Sequence, residues 1–223
     1  MPKSIMTRLI LKDIYMNRML IIGTLLAVFL SLFIATFSEA WFSIGSVLFI
    51  TSMIVMGIFV SMYGVVRERE NKSWLFVLSL PISTTQYFAA KLVAALISFL
   101  LAWGVALVVT VLFIVLIDEM PNGLLPFFIL LMLFFFHNFA IFLAVSLLTK
   151  SEVWTGATII LTNTSITFFM IFAFNLPVIE ENLSGPIAVW SPEIFLLMFY
   201  ELAVVVFVLG FAMFKQSRRH DFV

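Results

Sequence analysis

The sequence predicts an all-α membrane protein of six transmembrane helices with both termini in the cytoplasm. Three observations carry that prediction. First, 64% of the 223 residues are hydrophobic and 11% are charged, against about 45–50% apolar and about 25% charged in an ordinary soluble domain. So little polar surface cannot wrap so large a core in water, and it also excludes disorder and nucleic-acid binding, both of which need charge. Second, six continuous apolar runs cover residues 19–37, 42–66, 87–117, 124–148, 155–175 and 191–214, each near or above the ~20 residues that cross ~30 Å of hydrocarbon. Runs without alternation read as helices rather than barrel strands, since helices satisfy every backbone group internally.

The third observation is where the charges sit. The formal net charge is zero, from 12 Lys+Arg and 12 Asp+Glu. Every basic residue falls on one side of a six-span chain: Lys3, Arg8, Lys12, Arg18, Arg67, Arg69, Lys72, Lys91, Lys150, Lys215, Arg218 and Arg219. The opposite connections carry Glu39, Asp118, Glu119, Glu180, Glu181 and Glu193. The positive-inside rule makes the basic side cytoplasmic. Trp41 and Trp190 at outer ends, with Tyr63, Tyr87 and Trp154 at inner ends, form the expected interfacial belts. Ser38-Glu39-Ala40 loosely resembles a signal-peptidase site, but the first run is longer than a signal core and reads as a retained helix.

Three segments are not spans. Residues 1–18 mix Ile5, Leu9, Leu11 and Ile14 with four basic residues, which suits an amphipathic interface helix in the headgroup plane or, more plainly, a solvated tail. Residues 67–80 start with Arg67, Glu68, Arg69 and Glu70, continue through Ser73, Trp74 and Phe76, and meet Pro81. Pro81 stops a helix there, and Ser83 is placed to cap the next one. This element either merely reverses the chain or presents a cytoplasmic docking surface. Residues 176–192 hold Pro177, Pro186, Pro192 and Gly185 and read either as a re-entrant outer segment or as an exposed loop.

Polar groups within the spans are few. His137 and Glu201 are the ionisable residues placed deep in hydrocarbon, where such groups are costly and often functional. The plain alternative is a neutral His and a neutral or paired Glu inside the bundle. In the fifth span Thr155, Thr158, Thr162 and Ser165 share one face, with Asn163, Thr164 and Thr167 roughly opposite. Such a helix lines a passage or packs with its hydroxyls on its own backbone. In the third span Ala90, Ala94, Ser98, Ala102 and Ala106 form a ridge of small residues that lets a neighbour approach closely.

No G-x-x-x-x-G-K-S/T loop is present to cradle a nucleotide triphosphate. There is no Cys, and the two His have no metal-ligand spacing. Glu180-Glu181 is similar to the paired glutamates of membrane-embedded CAAX-type proteases. Gly185 stands where those proteins have Arg, so an intramembrane enzyme is the alternative class, with a passive channel or scaffold as a third.

The stretch from Glu70 to Lys91 resembles the ABC type-2 permease family. Glu70, Ser73, Leu75, Leu78, Leu80-Pro81-Ile82-Ser83 and Lys91 fill the family's places, whereas Lys72 and Ala90 stand where Gly is common. The resemblance implies a permease subunit that binds no cofactor itself and works with two copies of an ABC ATPase carrying ATP and Mg. It also implies a second permease subunit, as homodimer or heterodimer, in a bacterial cytoplasmic membrane. Residues 67–80 would be the coupling helix, with Arg67, Glu68, Arg69, Glu70, Ser73, Trp74 and Phe76 as the ATPase contacts. Thr158, Thr162, Ser165 and Glu201 are the expected translocation path.

Overall fold

The computed structural model of the protein describes residues 5–62, 82–118, 120–149 and 151–218. The expected coupling helix at 67–80, with all seven of its candidate contacts, lies outside the described residues. The described chain is helical: α1 (Ile5–Ala35), α2 (Glu39–Ser61), α3 (Thr84–Leu116), α4 (Leu124–Leu148), α5 (Glu152–Phe174), the six-residue α6 (Pro177–Asn182) and α7 (Pro192–Ser217). Six of them are long and apolar enough to cross a membrane, α6 being the exception.

Local chemistry sets several boundaries. Ser38, in the tight turn after α1, accepts from the Trp41 backbone N–H and so caps α2. Ser83 opens α3 with a full capping box, its Oγ accepting from the Gln86 N–H while Gln86 Oε1 accepts from the Ser83 N–H. The reciprocal bonds satisfy two amides that the first helical turn leaves orphaned. Ser191 caps α7 with a single bond, its Oγ accepting from the Ile194 N–H, and Pro192 takes the first helical position, where its missing N–H costs nothing.

Alternation of the spans puts Glu39, Asp118, Glu180, Glu181 and Glu193 at one end of the bundle, here the acidic end. Arg8, Lys12, Arg18, Lys91 and Lys215 fall toward the other, the basic end. The central helix is α4, packed against α2, α3, α5, α6 and α7. Two-thirds (67%) of its most apolar window is buried, against 11% for α5 at the periphery. Phe99 of α3 stacks on Phe139 of α4 at 4.0 Å, and Phe134 of α4 stacks on Phe169 of α5 at 3.9 Å. Trp103 Nε1 donates to the Met132 carbonyl oxygen at 2.7 Å, tying α3 to the α4 backbone.

The small-residue ridge of α3 is fully buried: Ala90, Ala94, Ser98, Ala102 and Ala106 are each at most 1% exposed. Helix α1 lies along α3 and α2. Its buried positions are Asp13, Asn17, Thr24, Val28, Ser31 and Ala35, a stripe of three- and four-residue steps that keeps one face on its neighbours. Leu26, Phe29, Leu30 and Phe33 on the same helix are exposed, as a lipid-facing surface requires.

One expectation changes here. Residues from Ile5 to Arg18 are not a separate helix in the headgroup plane; they are the first turns of the unbroken 31-residue α1. The physical reason is that their polar groups are turned to protein. Asp13 and Asn17 are buried against α3, so the segment continues the span, and at 1.5 Å per residue α1 reaches about 46 Å.

The segment following α5 is docked at the acidic end. Ile179 of α6 is buried, and Leu176, Val178 and Leu183 pack against the core. The Gly123 N–H donates to the Gly185 carbonyl at 2.9 Å, and Asn122 Nδ2 donates to the Pro186 carbonyl at 3.2 Å. Gly123 is required by contact: a Cβ there would sit 1.8 Å from the Asn182 carbonyl oxygen. Gly45 plays the same part between α1 and α2, where a Cβ would lie 2.5 Å from the Ser31 carbonyl oxygen.

Gly123→Ala and Gly45→Ala are each expected to destabilise the fold by about 1–3 kcal/mol, because backbone rather than a flexible side chain must move. Gly104→Ala, with open space around its Cβ position, serves as the control and should lose nothing. Detergent-solubilised thermal unfolding of the three variants checks the contrast.

Candidate functional site

The basic end holds a polar junction built by the two longest helices. Asp13 is 22 residues from the last residue of α1, and Lys91 is 25 residues from the last residue of α3, which puts them at about 33 and 37 Å along their helices. Both distances match the edge of a ~30 Å hydrocarbon layer. Lys91 Nζ donates to Asp13 Oδ2 at 2.6 Å, with side-chain exposures of 4% and 6%. The Tyr87 ring lies one turn earlier, its centroid 5.8 Å from Lys91 Nζ, within cation–π range. Lys12 Nζ is 3.3 Å from Asp13 Oδ1 but is itself 46% exposed, so it adds little.

About one turn deeper on α1 and two on α3, Asn17 Nδ2 donates to Ser98 Oγ at 3.3 Å. Deeper still, the Thr24 hydroxyl points to Met56 Sδ of α2 at 3.5 Å. A ladder of polar contacts therefore fixes how α1 registers on α3 and α2. Low dielectric and shielding make the ion pair strong once formed, and very costly to break one partner at a time. It sits eight residues beyond the Ser83 cap, on the helix that follows the chain stretch expected to couple.

Sequence reasoning overlooked Asp13. Its signal was present: it is the one acid among residues 1–38, amid four basic residues. Lys91 was noted, but its partner 78 positions away was not.

The expected translocation residues divide into two groups. Thr158 Oγ1 donates to the Trp154 carbonyl at 2.8 Å, and Thr162 Oγ1 to the Thr158 carbonyl at 2.8 Å. Ser165 Oγ lies 2.7 Å from the Thr162 carbonyl and 3.1 Å from Asn138 Oδ1 of α4, its single proton serving one or the other. Thr162 and Asn138 line a cleft of about 30 Å³ with residues of α2, α3 and α4, among them Met53, Gly57, Phe99 and Phe139. That volume suits one water-sized polar group, and Asn138 Nδ2 is without a hydrogen-bond partner among the described residues.

Glu201 is elsewhere. It is 2% exposed on the α7 stripe Ile194, Glu201, Val205, Ala212 and Gln216, and α7 packs chiefly on α4. Neither carboxylate oxygen has a hydrogen-bond partner among the described residues, nor does His137 Nδ1. No α7 residue lines the Thr162 cleft. The structure therefore brings Thr162 and Ser165 together with Asn138, and does not bring Glu201 to them. An uncompensated carboxylate at this depth is expensive, which keeps Glu201 a functional candidate in its own right.

A family model described as "ABC-2 family transporter protein" matches residues 8–217. The chain belongs to the ABC-2 transporter family. No curated protein and no solved structure matches it. As an ABC-2 permease it is a multi-pass membrane subunit of an ABC transporter, and membership implies an ATPase partner. The match spans both the Asp13–Lys91 junction and the polar α5, so both are parts of the permease domain rather than appendages.

Replacing Asp13 alone strands a buried lysine. Asp13→Ala is expected to cost about 3–5 kcal/mol, whereas Asp13→Leu with Lys91→Met should cost much less, because no charge is left buried. Unfolding midpoints of the permease in detergent measure both. Equal losses in the single and double variants would show that the pair contributes no coupling.

Proposed function

We propose that the protein is the permease of an ABC exporter in the bacterial cytoplasmic membrane, with its basic end facing the ATPase. ATP hydrolysis by two copies of a separate ATPase subunit drives it, and ATP and Mg bind there rather than on this chain. The family match over 8–217 carries this reading. Orientation rests on the positive-inside rule applied to the basic end.

The coupling element in this reading is residues 67–80. Arg67, Glu68, Arg69 and Glu70 make charged contacts, Ser73 caps or bonds, and Trp74 and Phe76 anchor in a groove of the ATPase. Support comes from what flanks it: α3 starts from a rigid capping box and is clamped to α1 by Asp13–Lys91. A push on residues 67–80 would then move α1 and α3 as one body rather than melt the end of α3.

The transport path in this reading runs beside α5, between two permease subunits. Helix α5 carries Thr158, Thr162, Asn163, Thr164, Ser165 and Thr167, yet among the described residues it packs by substantial contact only on α4 and α6. A polar helix with so open a face suits a second subunit or a passage better than lipid. Glu201 belongs to this proposal as a separate buried group reached through α4. No observation favours intramembrane hydrolysis: Glu180 and Glu181 are exposed at the acidic end, while His137 lies in α4.

The combined variant Glu70→Ala with Trp74→Ala is expected to lower transport-stimulated ATP hydrolysis by about tenfold or more, as loss of a charged contact and an aromatic anchor implies. Span integrity should be unaffected. Wild-type hydrolysis and assembly in this variant would remove residues 67–80 from the docking role.

A further inference from the structure

A cavity of about 210 Å³ lies among α1, α2, α3, α4 and α5 at the acidic end. Its position follows from its lining: Ala35 ends α1, Phe42 is in the first turn of α2, Ile114 is near the end of α3, and Leu124 starts α4. Leu183, from the docked segment after α6, also lines it. Six phenylalanines form much of the wall: Phe42, Phe49, Phe113, Phe127, Phe128 and Phe174. Among the described residues, none that lines the cavity is charged.

The lining also includes three hydroxyls, and two of them are already used. Ser31 Oγ donates to the Val28 carbonyl at 2.7 Å, and Ser46 Oγ to the Phe42 carbonyl at 2.9 Å. Thr110 Oγ1 alone is without a partner among the described residues. A buried water needs two to four polar partners, so water is a poor occupant. An apolar cavity of ~150 Å³ lined by Leu, Ile and Phe stays dry and takes up benzene, and this one is larger. The faces beside it present Phe33, Phe37, Trp41 and Ile44 outward, so the surrounding medium is hydrocarbon chain.

We propose that this cavity seats one acyl chain of a phospholipid from the acidic-side leaflet, held as a resident lipid within a single permease subunit. Recognition is through the chain. The connections at this end carry Glu39, Asp118, Glu119, Glu180, Glu181 and Glu193 and no Lys or Arg, so an anionic headgroup finds no cation there. The site prefers a zwitterionic lipid such as phosphatidylethanolamine over phosphatidylglycerol. This site needs only the six-helix bundle and does not rest on the coupling scheme above.

The test reconstitutes the permease with its ATPase in vesicles containing phosphatidylethanolamine that bears a mid-chain diazirine, and maps the crosslinked peptides. Labelling is expected around Phe113, Phe128 and Met170, and at lipid-facing Phe207 and Phe211 as the control. Ser46→Phe fills the cavity with an aromatic ring and leaves no buried polar group behind. It should cut cavity labelling about tenfold, the effect of displacing roughly two methylenes, with control labelling unchanged. Thr110→Val should leave labelling intact, because a hydrocarbon chain asks for no hydrogen bond.

Cavity labelling no stronger than in vesicles with diazirine-bearing phosphatidylglycerol would overturn the headgroup preference. Labelling that survives Ser46→Phe, or is abolished by Thr110→Val, would overturn the chain itself. Labelling that rises and falls with added ATP would make the occupant a transported molecule rather than a resident lipid. Should Ser46→Phe not fold, as loss of the Phe207 and Phe211 control would show, the Thr110→Val and ATP arms still decide.

Discussion

The buried ion pair between Asp13 and Lys91 is the contact on which the basic half of the molecule depends. Two opposite charges at the membrane boundary, each with about a twentieth of its side chain exposed, are tolerable only together. Their pairing sets the register of α1 on α3. The Asn17–Ser98 bond and the Thr24–Met56 contact then follow at helical intervals along the same face. It also explains why the amphipathic start of the chain does not lie flat. Its one acid is drawn into the bundle, and α1 continues unbroken to Ala35.

The other half of the architecture rests on α4. A helix with mean apolar character this strong would span as readily on the lipid face, yet it is the most enclosed. Stacked aromatics on both sides, and the Trp103 bond to its backbone, make it the wall that divides the subunit. Thr162 and Ser165 stand on one side of that wall and Glu201 packs from another helix. The most polar span is left at the edge. In the proposed pairing of permeases, that edge is where the partner or the passage would belong.

Much of this was legible in the sequence, and the limits have physical causes. The bounds of α4 match the expected span, since Gly123 and Thr149 flank a predominantly apolar run. The Ser83 cap and the small-residue ridge of α3 were readable because both are local, set by neighbours within four residues. The Asp13–Lys91 pair, the tie of Asn122 and Gly123 to Gly185 and Pro186, and the acidic-end cavity were not. Each joins segments more than 60 positions apart, and hydropathy records only that a face is buried, not against what. For the same reason hydropathy could name Glu201 as a buried candidate without saying which helix covers it, and the structure sets α4 against it. The family resemblance, by contrast, was carried by the short run from Glu70 to Lys91, and the match over 8–217 bears it out.

In the function proposed above, this ABC-2 permease works by engaging a separate ATPase at its basic end. The most direct measurement is to purify the tagged chain from native membranes in mild detergent and determine the bound polypeptides and their ATP hydrolysis. The account predicts an ATP-hydrolysing subunit in equal number with the permease, retained through purification. A chain that transports in vesicles with no ATPase bound, and with no response to ATP, would contradict it.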